Sequence, residues 1–255
     1  MKILAIGDVT SPGGVDHLSK KLWSVREKFG IDFCVVNGEN ASVVSGISPT
    51  QAEELLRSGA DAITGGNHTL QNFSSHGMLE ESSEVLRPIN YGSSVPGRGY
   101  SIIDIGSARV LVINAMGQTH IDPVLDSAYP YIDAVLRECE GKYDVSLLDF
   151  HAEATGEKLC MAYSYDGRIN VIFGTHTHVP TADCTVLPKG TGYVTDLGMC
   201  GESRGILGMD ISGVMRKVKA RMPGKLKAAD GEPFADGVIF ELQGGKCISV
   251  KRIRF

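Results

Sequence analysis

The chain has 255 residues, 42% of them hydrophobic and 22% charged, with a formal net charge of -5. That length suits one large α/β domain, and the composition is that of an ordinary water-exposed fold. The negative balance disfavours bulk binding of nucleic-acid polymers, whose phosphates it would repel, but leaves small phosphate esters open because a metal site can invert the local potential.

No segment approaches the roughly 20 apolar residues of a membrane span. The apolar run after Met1 is too short for the core of a secretory signal. The six cysteines, Cys34, Cys139, Cys160, Cys184, Cys200 and Cys247, share no CxxC spacing and are expected to be free thiols in a reducing compartment, the cytoplasm.

In chain order, residues 2–6 predict a buried strand, and Asp8 follows it. Leu18, Leu22, Val25 and Phe29 recur at helical spacing over residues 16–29, ended by Gly30. A second strand over 32–36 leads into Asn37-Gly38-Glu39-Asn40. A Gly- and Ser-containing loop follows, then Ser48-Pro49-Thr50-Gln51, a capping-box helix start with proline at the first helical position, closed by Gly59. A third strand over 61–64 runs into Gly65-Gly66-Asn67-His68; residues 73–86 are weakly helical and 88–99 irregular.

Residues 100–105 and 109–114 predict two strands around Gly106-Ser107, followed by a helix over 126–139. A strand over 144–149 ends in Phe150-His151, and a short helix is expected over 155–163. The strand over 170–173 leads into Gly174-Thr175-His176-Thr177-His178-Val179. Strands over 185–187 and 193–195 flank Pro188-Lys189-Gly190, and Asp196-Leu197-Gly198 again places an acid and a glycine at a strand end. A mixed helical pattern covers 205–222 and stops at Pro223, and a terminal hairpin is expected over 237–242 and 247–253 across Gly244-Gly245. The basic end, Lys251, Arg252 and Arg254, is expected to be a solubilising edge. The expected organisation is one domain over 1–255, with 205–255 as a helix and β-hairpin extension. Neither a GxGxxG fingerprint nor a P-loop is present.

Candidate metal ligands therefore follow apolar strands at five places: Asp8, Glu39 with Asn40, Asn67, His151, and His176 with His178. If those strands are parallel neighbours, their ends converge on one rim of a sheet. Seven candidates are too many for a single tetrahedral zinc and suit two cations about 3.5–4 Å apart bridged by a carboxylate, for which Glu39 is the candidate. Such a pair hydrolyses phosphoesters by in-line attack of a bridging hydroxide, and the leaving alkoxide needs a proton, which His68 could give. His17, His76 and His120 are expected to be structural or surface residues.

The segments Gly7-Asp8, Asn37-Gly38-Glu39-Asn40, Gly65-Gly66-Asn67-His68, Asp149-Phe150-His151-Ala152-Glu153-Ala154-Thr155, Gly174-Thr175-His176-Thr177-His178-Val179 and Thr195-Asp196-Leu197-Gly198-Met199, in this order, resemble the calcineurin-like metallophosphoesterase superfamily. The closer resemblance is to its YmdB-like 2',3'-cyclic-nucleotide 2'-phosphodiesterase branch. The resemblance implies a four-layer α/β/β/α sandwich and two divalent or mixed-valence metal ions, iron or manganese first, with zinc or cobalt also accommodated. It implies that Asp8 and His178, with Asn40 beside them, hold one ion, that Glu39 bridges, that Asn67, His151 and His176 hold the other, and that His68 is the general acid or contacts phosphate.

Thr10 stands where the superfamily usually has histidine, and Glu39 where it usually has aspartate; both departures fit the branch. The loop Val9-Thr10-Ser11-Pro12-Gly13 is less basic than the branch leads one to expect, and Thr69-Leu70-Gln71 replaces a more usual aromatic and acid, which bears on nucleotide preference. The implied partner is a small phosphodiester or nucleotide, with no nucleic-acid polymer and no membrane; self-association through the C-terminal segment is compatible with the sequence. The alternatives are a phosphomonoesterase of the same superfamily and a metal-holding regulatory protein acting through contacts.

Overall fold

The computed structural model describes residues 1–42, 45–223 and 226–255; residues 43–44, within the loop after the second predicted strand, and residues 224–225 lie outside them. Strand β1 (Lys2–Ile6) is apolar on both faces. Ile3 and Ala5 point one way and Leu4 and Ile6 the other, and all four are fully buried. A strand of this kind needs cover on each side.

Leu4 and Ile6 pack with Leu18 and Leu22 of α1 (Pro12–Phe29) and Leu55 of α2 (Pro49–Arg57). Ile3 and Ala5 face a second sheet, whose Val112, Leu147 and Phe173 close the core between the two sheets. The far face of that second sheet, with Leu111, Ile113 and Leu148, is covered by Ile132 of α4 (Tyr129–Glu138) and Met161 of α5 (Thr155–Ser164). The short helix α3 (His76–Glu81) lies in the stretch read as weakly helical. Three apolar cores thus separate four layers, the expected α/β/β/α sandwich. Each fully buried Leu or Ile contributes about 1.5–3 kcal/mol of transfer free energy, so these cores dominate the packing.

The first sheet runs β2 (Asp8–Val9), β11 (Met199–Met209), β12 (Ala228–Gln243), β1, β3 (Phe33–Asn37), β4 (Ala62–Thr64), with β13 (Lys246–Arg254) paired to β12. The second runs β5 (Tyr100–Asp104), β6 (Arg109–Met116), β7 (Val145–His151), β8 (Val171–Thr175), β10 (Gly192–Val194), β9 (Thr185–Val186). β1, β3 and β4 are parallel, as are β6, β7, β8 and β10. The loops leaving each parallel set emerge at one edge, where α/β folds build their sites.

Helix α2 begins as its sequence dictates: Ser48 and Gln51 form the capping box, with Pro49 in the first turn, a device of about 1 kcal/mol. Helix α1 begins four residues before the predicted 16–29 span, at Pro12, with Ser11 accepting from the Gly14 N–H at 3.0 Å. Gly13 and Gly14 read as loop residues in isolation, but they serve close approach: a Cβ at Gly14 would stand 2.6 Å from the Cys200 carbonyl oxygen.

The C-terminal region differs from expectation. Residues 199–209 form β11, and the helical pattern read over 205–222 is realised only as α6 (Ile211–Lys219). Residues 228–243, expected within an extension, form the longest strand and sit inside the first sheet between β11 and β1. Among the described residues no helix is long and apolar enough to cross a membrane, and none of the six cysteines forms a disulfide.

Candidate functional site

The candidate ligands do not share one rim of one sheet. Asp8 lies in β2, Glu39 and Asn40 follow β3, and Asn67 and His68 follow β4, all in the first sheet; His151 ends β7, and His176 and His178 follow β8, in the second. The sandwich faces the two sets of strand ends toward one another. This corrects the single-rim expectation, and all eight named residues nevertheless meet in one connected network.

Asp8 is fully buried, and its Oδ2 accepts the backbone N–H of His176 at 3.1 Å. Its Oδ1 is buried with no hydrogen-bond partner, although His178 Nε2 stands 3.7 Å away and His151 Nδ1 3.9 Å away. Burial pushes the Asp8 carboxyl up to about 6, with His178 pulling the other way. Glu39 is also buried, and its carboxylate accepts from the His68 backbone N–H and from the Thr69 hydroxyl, the latter at 3.2 Å. His151 Nε2 lies 3.7 Å and His68 Nδ1 3.5 Å from Glu39 Oε1. Burial, aided by Asp8, raises the Glu39 carboxyl well above the ordinary range.

Asn40 joins two histidines: its Oδ1 is 2.8 Å from His68 Nδ1 and its Nδ2 is 3.4 Å from His178 Nε2. On the opposite side, His151 Nε2 is 3.1 Å from both Asn67 Oδ1 and His176 Nδ1. Room for this imidazole depends on Gly66, since a Cβ there would fall 2.2 Å from His151 Nε2. His176 and His178 hold left-handed backbones, with φ of 99° and 61°. Such conformations persist only where the surroundings enforce them. Here the Asp8 and Asp196 carboxylates grip the His176 and Thr177 N–H groups at 3.1 Å each, and the Leu207 carbonyl lies 3.0 Å from His178 Nδ1.

Beneath this cluster lies a polar layer that sequence reasoning did not assign. Asp149, buried in β7, accepts from the Asn37 amide (2.9 Å), the Thr64 hydroxyl (2.5 Å) and the Thr175 hydroxyl (2.7 Å). Burial raises this carboxyl to about 7 against the pull of those three donors. Because Thr175 gives its proton to Asp149, its oxygen accepts from His151 Nδ1 at 2.9 Å. That pattern places the imidazole proton on Nδ1 and leaves the Nε2 lone pair facing Asn67, whose Oδ1 is also an acceptor. Lys158 is likewise buried and donates to the Thr175 carbonyl and to Asp196 Oδ2, each at 2.8 Å. An acid inside an apolar strand (Asp149) and a lysine on the inward side of a helix beside Met161 and Ala162 (Lys158) were the available signals. Of the remaining histidines, His17 meets the Phe255 carbonyl at 2.9 Å and His76 that of Leu70 at 3.0 Å, both away from the cluster.

Among the described residues, no group of three or more His, Cys, Asp or Glu side chains is already arranged to hold a metal ion. The candidate donors close on one another, and two of them are amides. Their chemistry nonetheless fits cations. Burial holds His68, His151 and His176 below the usual imidazole value, so they offer lone pairs at neutral pH. Two carboxylates are buried beside them, the Asp8 Oδ1 is orphaned, and His151 Nε2 faces the Asn67 oxygen as well as His176 Nδ1. Oxygen and imidazole donors of this kind suit first-row divalent metals.

Residues 4–253 match the family described as YmdB-like protein. The chain belongs to that family, a branch of the calcineurin-like metallophosphoesterases. It is 37% identical over 255 residues to a 2',3'-cyclic-nucleotide 2'-phosphodiesterase of Bacillus subtilis, covering 99% of this chain and 96% of that one. Among solved structures, a hypothetical protein from Thermus thermophilus superposes with a TM-score of 0.93 at 34% identity, covering 100% of this chain and 99% of the other. A novel phosphatase from Mycoplasma pneumoniae gives 0.93 at 29% identity, covering 100% and 93%. Membership in the YmdB-like family supports a phosphoesterase-type hydrolase.

Proposed function

We propose that this YmdB-like chain is a two-metal phosphodiesterase acting on small phosphodiesters, 2',3'-cyclic nucleotides first among them. The observation that carries the reading is the convergence of eight polar residues from two sheets around a buried carboxylate oxygen with no partner. The similarity to the Bacillus subtilis enzyme over nearly the whole chain supports the substrate class.

In this reading Asp8 and His178, with Asn40, would hold one cation, Asn67, His151 and His176 would hold the second, and Glu39 would contribute its carboxylate to both. When bound, the cations supply Lewis-acid polarisation of the phosphoryl oxygens and a water-derived nucleophile near neutral pH. The chain's own residues do the rest. Thr175 and Asp149 keep His151 in the Nδ1–H form, and the left-handed loop presents His176 and His178 side by side. Asn40 Oδ1 takes the Nδ1–H of His68, so its Nε2 is the atom free to carry a second proton. His68 is one-third exposed, and burial with the nearby His178 weakens its hold on that proton. A leaving alkoxide is the group in this reaction that needs it.

Asn67→Ala is expected to lower metal-dependent hydrolysis of bis-p-nitrophenyl phosphate by about 10²-fold or more, since a bound cation supplies several kcal/mol, with an unchanged circular dichroism spectrum. Full activity in that variant and in His151→Ala would exclude the mechanism. A parallel assay of cyclic nucleotides against nucleoside monophosphates tests the substrate class, and faster turnover of the monoesters would favour the phosphomonoesterase reading. Thr175→Val removes the acceptor of His151 Nδ1–H at nearly constant shape. Losing such an outer partner costs about 10–100-fold in metal affinity, measured by metal titration of the chelated protein, and Thr175→Ser should restore it.

A further inference from the structure

Outside the cluster, Arg87 and Asn90 are buried polar residues, 5% and 3% exposed. Arg87 forms no ion pair among the described residues. Its guanidinium donates instead to the carbonyl oxygens of Pro88 (2.9 Å), Gly92 (2.7 Å) and Pro96 (3.2 Å), all in the stretch whose sequence reads as irregular. Asn90 fastens the same stretch to the second sheet: its amide donates to the Met116 carbonyl at 2.9 Å, and its Oδ1 accepts the Met116 N–H at 3.0 Å. A buried charge is costly unless its donors are met, so this arginine fits one shape of the loop. That shape is a 3-10 turn over Ile89–Tyr91, closed by Gly92 at a left-handed φ of 82°.

The turn aims Tyr91 at the cluster. Its hydroxyl stands 3.4 Å from the Asn67 carbonyl oxygen, beyond the roughly 2.5–3.0 Å of a good O–H···O bond. The phenol is half-buried, and burial, together with the nearby Glu39 carboxylate, pushes it up to about 12. Tyr91 is thus a protonated donor, held in place, whose O–H is only weakly engaged by the chain. Among the described residues no lysine or arginine bonds any of the eight cluster residues. Negative charge on a bound ester that the cations leave unmet therefore falls to neutral donors.

We propose that the Tyr91 hydroxyl is a substrate contact, donating to a non-bridging phosphoryl oxygen of the bound ester on the Asn67 side of the site. The proposal rests on the phosphodiesterase reading for the identity of that ester. A donor that meets the phosphoryl oxygen in the bound ester and in the transition state alike strengthens binding without raising turnover. Inorganic phosphate carries the same kind of oxygen and no nucleoside, so it isolates this contact.

The test is Tyr91→Phe in the metal-loaded full chain, which removes the O–H and keeps the ring. Calorimetric titration with inorganic phosphate is expected to show binding weakened about tenfold or more, the worth of a hydrogen bond to a charged group, with metal content and circular dichroism unchanged. KM for 2',3'-cyclic AMP is expected to rise by a similar factor while kcat changes little. A variant that binds phosphate as the wild type does overturns the proposal, as does a wild type that binds none. So does a variant weakened toward the cyclic nucleotide alone, which would turn Tyr91 toward the nucleoside, or one that loses metal, which would assign the hydroxyl to the cations. The titration needs no turnover. A wild type that binds phosphate through Tyr91 yet hydrolyses no diester would sink the phosphodiesterase reading and leave the contact standing.

Discussion

Asp8→Asn is expected to stabilise the chelated protein while abolishing its turnover of phosphodiesters. In the metal-free protein Asp8 is a fully buried carboxylate whose Oδ1 meets no donor. Burial lifts its pKa from 3.8 to about 6. The sign follows from that direction. Below about pH 4 the group is protonated in both the folded and unfolded chain and costs nothing. As pH rises from about 4 to 6, the folded state keeps a proton that the unfolded chain releases, so stability is lost across that window. Above 6 the loss levels off on the order of 3 kcal/mol, at about 1.4 kcal/mol per unit.

Asparagine has no such titration. Its oxygen can still take the His176 N–H, and its amide can face His178 Nε2, which stands 3.7 Å from Asp8 Oδ1. Thermal unfolding in excess chelator should therefore show the variant ahead of wild type at pH 8, with the gap closing as pH falls to 4. Metal content and diester hydrolysis should fall together, the latter by about 10²–10³-fold, for the several kcal/mol a cation supplies. A wild type that is the more stable of the two at pH 8 without metal would show that Asp8 is satisfied by the chain itself and has no vacancy for a cation.

Lys158→Met should be the most destabilising single change near the site. The ammonium is 1% exposed and bonds a carboxylate that is fully buried. Removing one partner of such a pair leaves an uncompensated interior charge, at a cost of about 3–5 kcal/mol, or roughly 6–20 °C in Tm for a domain of this size. The consequence reaches the chemistry because the same two residues hold the histidine loop from below. Lys158 ties the Thr175 carbonyl, and Asp196 ties the N–H groups of Thr177 and Gly198. The double variant Lys158→Met/Asp196→Asn should regain part of the stability, since the charge is gone and an amide oxygen can still accept one of those N–H groups. If the double variant is less stable than Lys158→Met alone, the penalty comes from lost packing of the lysine stem rather than from a stranded carboxylate.

The sequence was readable where structure is decided by neighbours along the chain. Ser48, Pro49 and Gln51 announce α2 because all their partners lie within one turn, and the apolar runs at 2–6 and 170–173 announce strands because both faces are buried. The residues that meet between the two sheets were readable for the same reason: each sits at the tip of a short strand-loop signature. The start of α1 was missed although Ser11-Pro12 repeats the signature of Ser48-Pro49, because Gly13 and Gly14 answer to Cys200 and Glu202, nearly 190 residues away. The placement of the candidate ligands across two sheets was hidden because pairing partners are set by tertiary contacts. Asp149 and Lys158 were passed over because a buried charge announces its partner only in three dimensions. Strand β12 was read at less than half its length, since Asp230, Glu232 and Pro233 interrupt its apolar pattern at the stretch where it pairs β11.

The position of β12 has a consequence for how the protein is made. β1 is made long before its partner, and one of its two edges stays open until residues 237–241 arrive to pair with residues 2–6. Until then the nascent chain exposes an apolar, unpaired strand, the kind of edge that recruits other strands. Completion of the first sheet, and with it the meeting of Asp8 with the second-sheet histidines, therefore waits on residues 228–243. A chain cut short before residue 228 should accumulate as aggregate rather than as a smaller working enzyme.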